Sequence, residues 1–133
     1  MEGLRQRFGQ GMAYLAVEVS GAGRHPEAWK QSGDVLTASY HVGLAKLAAD
    51  SGVDFLALAD SFAEPADPLP TLDAVAIAAR VAPVVPGIGL VPIVTVTHTE
   101  PFHISKAIAT LDLVSSGRAG WEVAVSRLSL IHI

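Results

Sequence analysis

Four short windows of this chain place polar side chains at or directly after an apolar run. They are Ser20-Gly21-Ala22-Gly23 with His25-Pro26-Glu27-Ala28-Trp29 behind it, Asp60-Ser61-Phe62, Thr95-Val96-Thr97-His98-Thr99-Glu100, and Trp121 to Ser126. They hold few strong nucleophiles or matched acid–base pairs, but they do place hydrogen-bonding groups beside apolar walls. Such a lining suits a flat aromatic cofactor, whose edge needs polar contacts and whose faces need burial, so that the chemistry would belong to the cofactor. Asp60 could equally cap the turn that follows it, and β-propensity alone could explain Thr95 and Thr97. His98, Glu100 and His103 miss the i, i+4 spacing of a helical zinc pair, and Pro101 interrupts them, so no metal site is expected. Gly21 and Gly23 open like a dinucleotide fingerprint, but Pro26 stands where its third glycine belongs. They read as a loop with close backbone approach. His25, before Pro26, reads as a structural or solvent-facing residue more than as a general base.

The windows must be positioned by something, and four β-branched apolar segments precede or contain them: Ala13 to Val19, Val53 to Leu58, Ile88 to Val96 and Gly120 to Val125. Three helical patterns lie between. The first runs from about Leu36, with Leu36, Tyr40, Leu44, Leu47 and Ala48 on one face and Gly52 placed to end it. In the second, Thr71 is the expected N-cap and Asp73 lies in the first turn. Leu72, Val75, Ala76 and Ala79 form its buried stripe, and Pro83 and Pro86 end it. Pro101 opens the third, Ile104, Ile108 and Leu111 share a face, and Ser116-Gly117 stops it. Alternation of this kind means parallel strands joined by right-handed crossovers. The segments start at 13, 53, 88 and 120, close to the spacing of about 31 residues that eight units in ~250 residues require. The fold class expected is therefore α/β, a (β/α)8 TIM barrel truncated to about its first four β/α units. Its ligands would bind at the carboxyl ends of the strands, where the four windows fall. Arg118 and Asp112 fall at the opposite end and are expected to tie the third helix to the entry of the fourth strand. Trp29 and Trp121 are expected to be core or pocket wall.

Composition removes several function classes. The chain has 133 residues, half of them apolar, which suffices for one domain. Nine Lys and Arg stand against thirteen Asp and Glu, a net of −4, without a basic run, so nucleic acid is not an expected partner. The absence of cysteine excludes disulfides and thiolate chemistry, and fits the cytoplasm. No apolar run approaches the ~20 residues of a membrane span, and no secretory signal opens the chain. The mean hydropathy of +0.42 is explained by strands buried on both faces.

Both ends look foreign. Leu128 to Ile133 follow the last strand segment without a turn signal, and one back-translation of them matches a transposon end used in short-read library preparation. Residues 128–133 are thus expected to be adapter-derived. Residues 1–11 precede Met12 and form a possible non-native extension, with 12–127 as the native part.

The stretch from Gly89 to Val125 resembles the third-strand to fourth-strand region of luciferase-like flavin-dependent monooxygenases, in particular their nitrilotriacetate and dibenzothiophene-sulfone branch. Its most distinctive part is Leu-Asp-x-x-Ser-x-Gly-Arg-Ala-Gly-Trp at 111–121. Gly21 to Trp29 and Asp54 to Ser61 match the first two βα segments of the same family. The resemblance implies reduced FMN, delivered by a flavin reductase, reacting with O2 to oxygenate a small organic substrate. By position, Asp60 would sit near the flavin ring, and Thr95 or Thr97 would contact it. Many relatives carry asparagine where this chain has Glu122, which puts the fourth-strand contact in doubt. The family's phosphate-binding residues belong to a later half, so this chain alone is expected to bind FMN poorly and to be inactive. When complete it is expected to be a homo-oligomer. Two other readings stay open: a deazaflavin-dependent oxidoreductase of the same barrel family, and a non-enzymatic half-barrel that pairs to cover its strand edges.

Overall fold

The computed structural model describes residues 13–126 apart from 24, 26, 32–33, 63–69 and 98. The readings of 1–11, 128–133 and His98, and that of the Trp29 side chain, lie outside the described residues. Element order is β1 (Ala16–Val19), a 3-10 turn (Ala28–Gln31), α1 (Ala38–Asp50), β2 (Phe55–Leu58), α2 (Ala74–Val81), β3 (Gly89–Thr95), α3 (Pro101–Val114) and β4 (Glu122–Ala124). The strands form one parallel sheet in the order β1-β2-β3-β4. Each is joined to the next by a helix-bearing crossover, as four consecutive β/α units of a TIM barrel require. No helix among the described residues is long and apolar enough to cross a membrane.

The register aligns Leu56 with Leu90 and Leu58 with Pro92. All four are buried, because successive side chains alternate faces and this face receives the helices. Leu56, Leu58 and Leu90 form the core with Ala45, Ala74, Ala78, Val81, Ile88 and Leu111. On the opposite face the Phe55 ring lies over Gly89, where an added Cβ would meet ring carbons at 2.5 and 3.0 Å.

The helices start and stop for local reasons. Thr37 caps α1, its hydroxyl accepting the Tyr40 N–H at 3.3 Å. At the other end Gly52, at φ 81°, lets Val53 N–H reach Ala48 O and Gly52 N–H reach Ala49 O. This left-handed closure strongly favours glycine. Pro101 occupies the first turn of α3 without losing a bond, and Ser116 and Gly117, both at positive φ, end the chain's run after it.

Two helix faces differ from the sequence expectation. Helix α1 buries His41 and Ala45, while Leu47 is 65% exposed and Leu36 45%. Helix α2 is capped by Asp73 instead of Thr71, and it buries Ala74, Ala78 and Val81 while Leu72, Ala76 and Ala79 are exposed. At the buried positions Ala45 of α1 and Ala74 and Ala78 of α2 are small enough to let each helix pack closely against its neighbours. The strands are also shorter than their apolar runs, and β3 ends at Thr95.

Candidate functional site

Asp60 lies two residues beyond β2. Its Oδ1 accepts the Ser61 N–H at 2.7 Å and its Oδ2 accepts the N–H of Ala74, the first residue of α2, at 3.1 Å. Asp73 takes the Ala76 N–H at 2.6 Å, so two carboxylates share the start of one helix, where the dipole favours negative charge. Burial lifts the Asp60 carboxyl above its ordinary range. The Ala74 and Ser61 amides oppose that rise, and the charge of Asp73 adds to it.

Asp60 is also the common wall of two cavities. One, of about 200 Å³, lies where β1 and β2 end and α1 and α2 begin; Ser20, Gly21, His41, Leu58 and Thr71 help to line it. The other, of about 430 Å³, lies between α2 and α3 over β3, and Thr95, Phe62 and His103 join Asp60 there. The structure thus brings Asp60 and Thr95 to one cavity. Thr95 is buried, at 6% exposure. Thr97 lines neither cavity. It sits in the turn past β3, outside the strand alternation that would put it on Thr95's face, and its Oγ1 accepts the Ser126 N–H at 2.9 Å, extending the β3–β4 junction. Its own O–H has no partner among the described residues. Glu122 is the first residue of β4, beside Ile93, and is exposed.

The remaining candidates have structural duties. His25 Nδ1 accepts the Glu27 N–H at 3.2 Å. Trp121, 43% exposed, walls an apolar groove along α3 together with Val96, Ile104 and Ile108. Arg118 does tie segments together at the amino-terminal end of the sheet, but through backbone carbonyls: Ser115, Val85, Ile88 and Ala82 each accept from its guanidinium. Asp112 contributes its carbonyl, to Gly117 N–H and the Ser115 hydroxyl, and its carboxylate makes no hydrogen bond among the described residues. Sequence reasoning missed His41, which lines the smaller cavity and whose Nε2 donates to the Val35 carbonyl at 2.8 Å. Nothing in its spacing marked it, since it sits among helical apolar residues as one more member of a stripe.

Residues 12–129 match the luciferase-like monooxygenase family. The chain is 34% identical over 122 residues to N-acetyl-S-(2-succino)cysteine monooxygenase of Bacillus subtilis, covering 86% of this chain and 28% of that protein. It is 31% identical to nitrilotriacetate monooxygenase component A of Aminobacter aminovorans, over 80% of this chain and 26% of the relative. Among solved structures, the EDTA monooxygenase from Chelativorans sp. BNC1 superposes with a TM-score of 0.80 at 23% identity, covering 86% of this chain and 29% of that one. The chain therefore spans little more than a quarter of the length of these curated relatives.

Proposed function

The chain belongs to the luciferase-like monooxygenase family, and from that premise we propose that it forms the flavin-facing amino-terminal part of a two-component FMN-dependent monooxygenase acting on a small organic substrate. The observation that carries this reading is Asp60: a half-buried carboxylate just past β2, walling two cavities and sharing one of them with Thr95 at the end of β3. Residues past the carboxyl ends of parallel strands are where such a fold binds its ligand.

The polar groups at this mouth suit the edge of an isoalloxazine ring, which alternates N–H donors with carbonyl acceptors. Asp60 keeps lone pairs beyond the two amides it already accepts, and can take a ring N–H. Thr97, its acceptor side used by Ser126, has an O–H to give to a ring carbonyl. Thr95 supplies a buried wall. Reduced FMN, when bound, supplies the electrons that activate O2, and a partner reductase supplies the reduced flavin, in keeping with the relative named as a component A. Phosphate contacts are assigned to sequence beyond this chain.

The test is FMN titration of the complete protein, followed by protein fluorescence quenching, with Asp60→Ala and Thr97→Val beside it. Each variant is expected to weaken uptake by roughly tenfold, the worth of one hydrogen bond to a preorganised site. A complete protein that takes up no flavin and shows no reductase-dependent O2 consumption rejects the reading. Preferential uptake of a deazaflavin would move it to the hydride-transfer alternative.

A further inference from the structure

The cavity of about 430 Å³ over β3 is walled by two helix stripes that periodicity marks as apolar: Val75, Ala76 and Ala79 of α2, and Ile104, Ile108 and Leu111 of α3. Such periodicity signals burial, yet here the two stripes border a space instead of closing fully on each other. Ala76 and Ala79 are exposed, and Ala107 of α3 joins them in the lining. Alanine offers one methyl at each of these positions, so little side chain enters the space. One polar group in the lining has nothing to hold. Thr95 is 6% exposed; its carbonyl accepts the Thr99 hydroxyl at 3.2 Å, but its own hydroxyl makes no hydrogen bond among the described residues. The other two threonines of the lining spend their hydroxyl protons, Thr99 on Thr95 O and Thr110 on Lys106 O at 2.8 Å. The carboxylates of Asp60 and Asp73 accept the N–H groups of Ala74 and Ala76 that open α2. His103 is exposed, its ring edge-on to Phe102. Thr95 therefore brings the one buried O–H of this lining that is still free to give.

We infer that this cavity binds a small apolar molecule carrying one oxygen acceptor, a carbonyl or hydroxyl, with its body against the two helix stripes and its oxygen accepting from the Thr95 hydroxyl. The body gains from leaving water in proportion to the apolar area it covers. A hydroxyl enclosed without a partner is costly. The ligand oxygen replaces the solvent that otherwise meets Thr95, whereas an isosteric hydrocarbon displaces that solvent and returns nothing. Size agrees: about 430 Å³ lies within the ~300–1,000 Å³ of small-molecule sites, which are mostly apolar with a few placed polar groups. This site goes beyond the flavin reading, which makes no use of the helix stripes, and it stands on the cavity and Thr95 whether or not flavin binds.

The experiment titrates the full chain, isotope-labelled, with acetophenone and with its isosteric hydrocarbon α-methylstyrene, and follows amide chemical shifts. Acetophenone is expected to move the amides of Ala76, Thr95 and Ala107 and to bind about tenfold more tightly than the hydrocarbon, the worth of one hydrogen bond. Thr95→Val keeps the side-chain shape and removes the donor, so the preference is expected to fall to within about twofold. Ala107→Leu puts side chain into the space and is expected to weaken both probes by at least about tenfold. Equal affinity of the two probes for the unmodified chain overturns the inference, and so do shifts confined to residues outside the cavity. These two readouts need no variant, so a poorly folding Thr95→Val leaves them intact. A preference that survives in a folded Thr95→Val, or binding unchanged in Ala107→Leu, overturns it as well. FMN titrated separately keeps the two readings apart: flavin uptake without the ketone preference refutes this site alone, and the ketone preference without flavin uptake refutes the other alone.

Discussion

Replacing Arg118 should cost this fold more than any other single change of a charged residue. Its Nε donates to Ser115 O at 2.8 Å, one Nη to Val85 O and Ile88 O at 3.1 and 2.7 Å, and the other to Ala82 O at 2.7 Å. These carbonyls end α2, lead into β3 and end α3, so one planar group joins two crossovers. A hydrogen bond from a charged donor contributes about 1.5–3 kcal/mol, which for four bonds gives a nominal sum of roughly 6–12 kcal/mol. The residue is half-buried, so water can reach some of the orphaned carbonyls, and bonds sharing one donor group are not additive. The working expectation for Arg118→Met is therefore a loss of about 3–5 kcal/mol, a large part of the ~5–15 kcal/mol that holds a domain together. Arg118→Lys should recover less than half, since an ammonium is a point donor that cannot fan out to four acceptors. Urea unfolding of the three chains, followed by far-UV circular dichroism, measures this. If lysine restored full stability, or if methionine cost less than about 1 kcal/mol, the carbonyl-clamp argument would be wrong.

Three further outcomes follow from particular contacts. Asp60 has its carboxyl raised from 3.8 by burial, so its ionisation opposes folding. The relative stability it confers is present below its ordinary value and is lost as pH rises through the higher folded one. The unmodified chain should thus lose stability relative to Asp60→Asn as pH rises from about 3 upward, and parallel urea midpoints across that range would contradict this. Gly89→Ala should destabilise by about 1–3 kcal/mol, because the new methyl meets the Phe55 ring at 2.5 Å and the Asp54 carbonyl at 3.3 Å; thermal melts decide it. Gly52→Ala, at φ 81°, should cost about 1–2 kcal/mol and fray the end of α1, visible as faster amide exchange at Gly52→Ala's neighbour Val53, whose N–H closes the cap.

The order of elements was legible because alternating apolar runs and helical stripes have few parallel-sheet solutions. The stops were legible too. Gly52, Pro101 and Ser116-Gly117 each have a local conformational reason to end or begin a helix that needs no tertiary context. Asp60 and Thr95 could be picked out as candidates for the same reason: a polar residue directly after an apolar strand faces the carboxyl end of the sheet wherever the rest of the chain goes. That the two line one cavity could not be read in advance, since it depends on how far α2 and α3 stand apart. Thr97 shows the limit from the other side. Alternation places it beside Thr95 only while the strand lasts, and the strand stops at Thr95.

Helix faces were less legible than helices. Hydrophobic weight marks leucine as the inward residue, yet α1 buries His41 and Ala45 with Leu47 outside, α2 buries Ala74, Ala78 and Val81, and Leu36 and Leu72, just ahead of the two helices, are exposed. Packing distance, which sequence periodicity does not encode, decides between two stripes of similar apolarity. Arg118 is the extreme case. Its position suggested a structural tie, but an acidic partner is the natural one to seek in a sequence, and Asp112 offered itself. Three of the four carbonyls it holds belong to Ala82, Val85 and Ile88, whose side chains offer no polar group to mark them. Backbone acceptors exist at every position and carry no signature, so a residue that works through them becomes visible only when the chain ends it collects have been brought together.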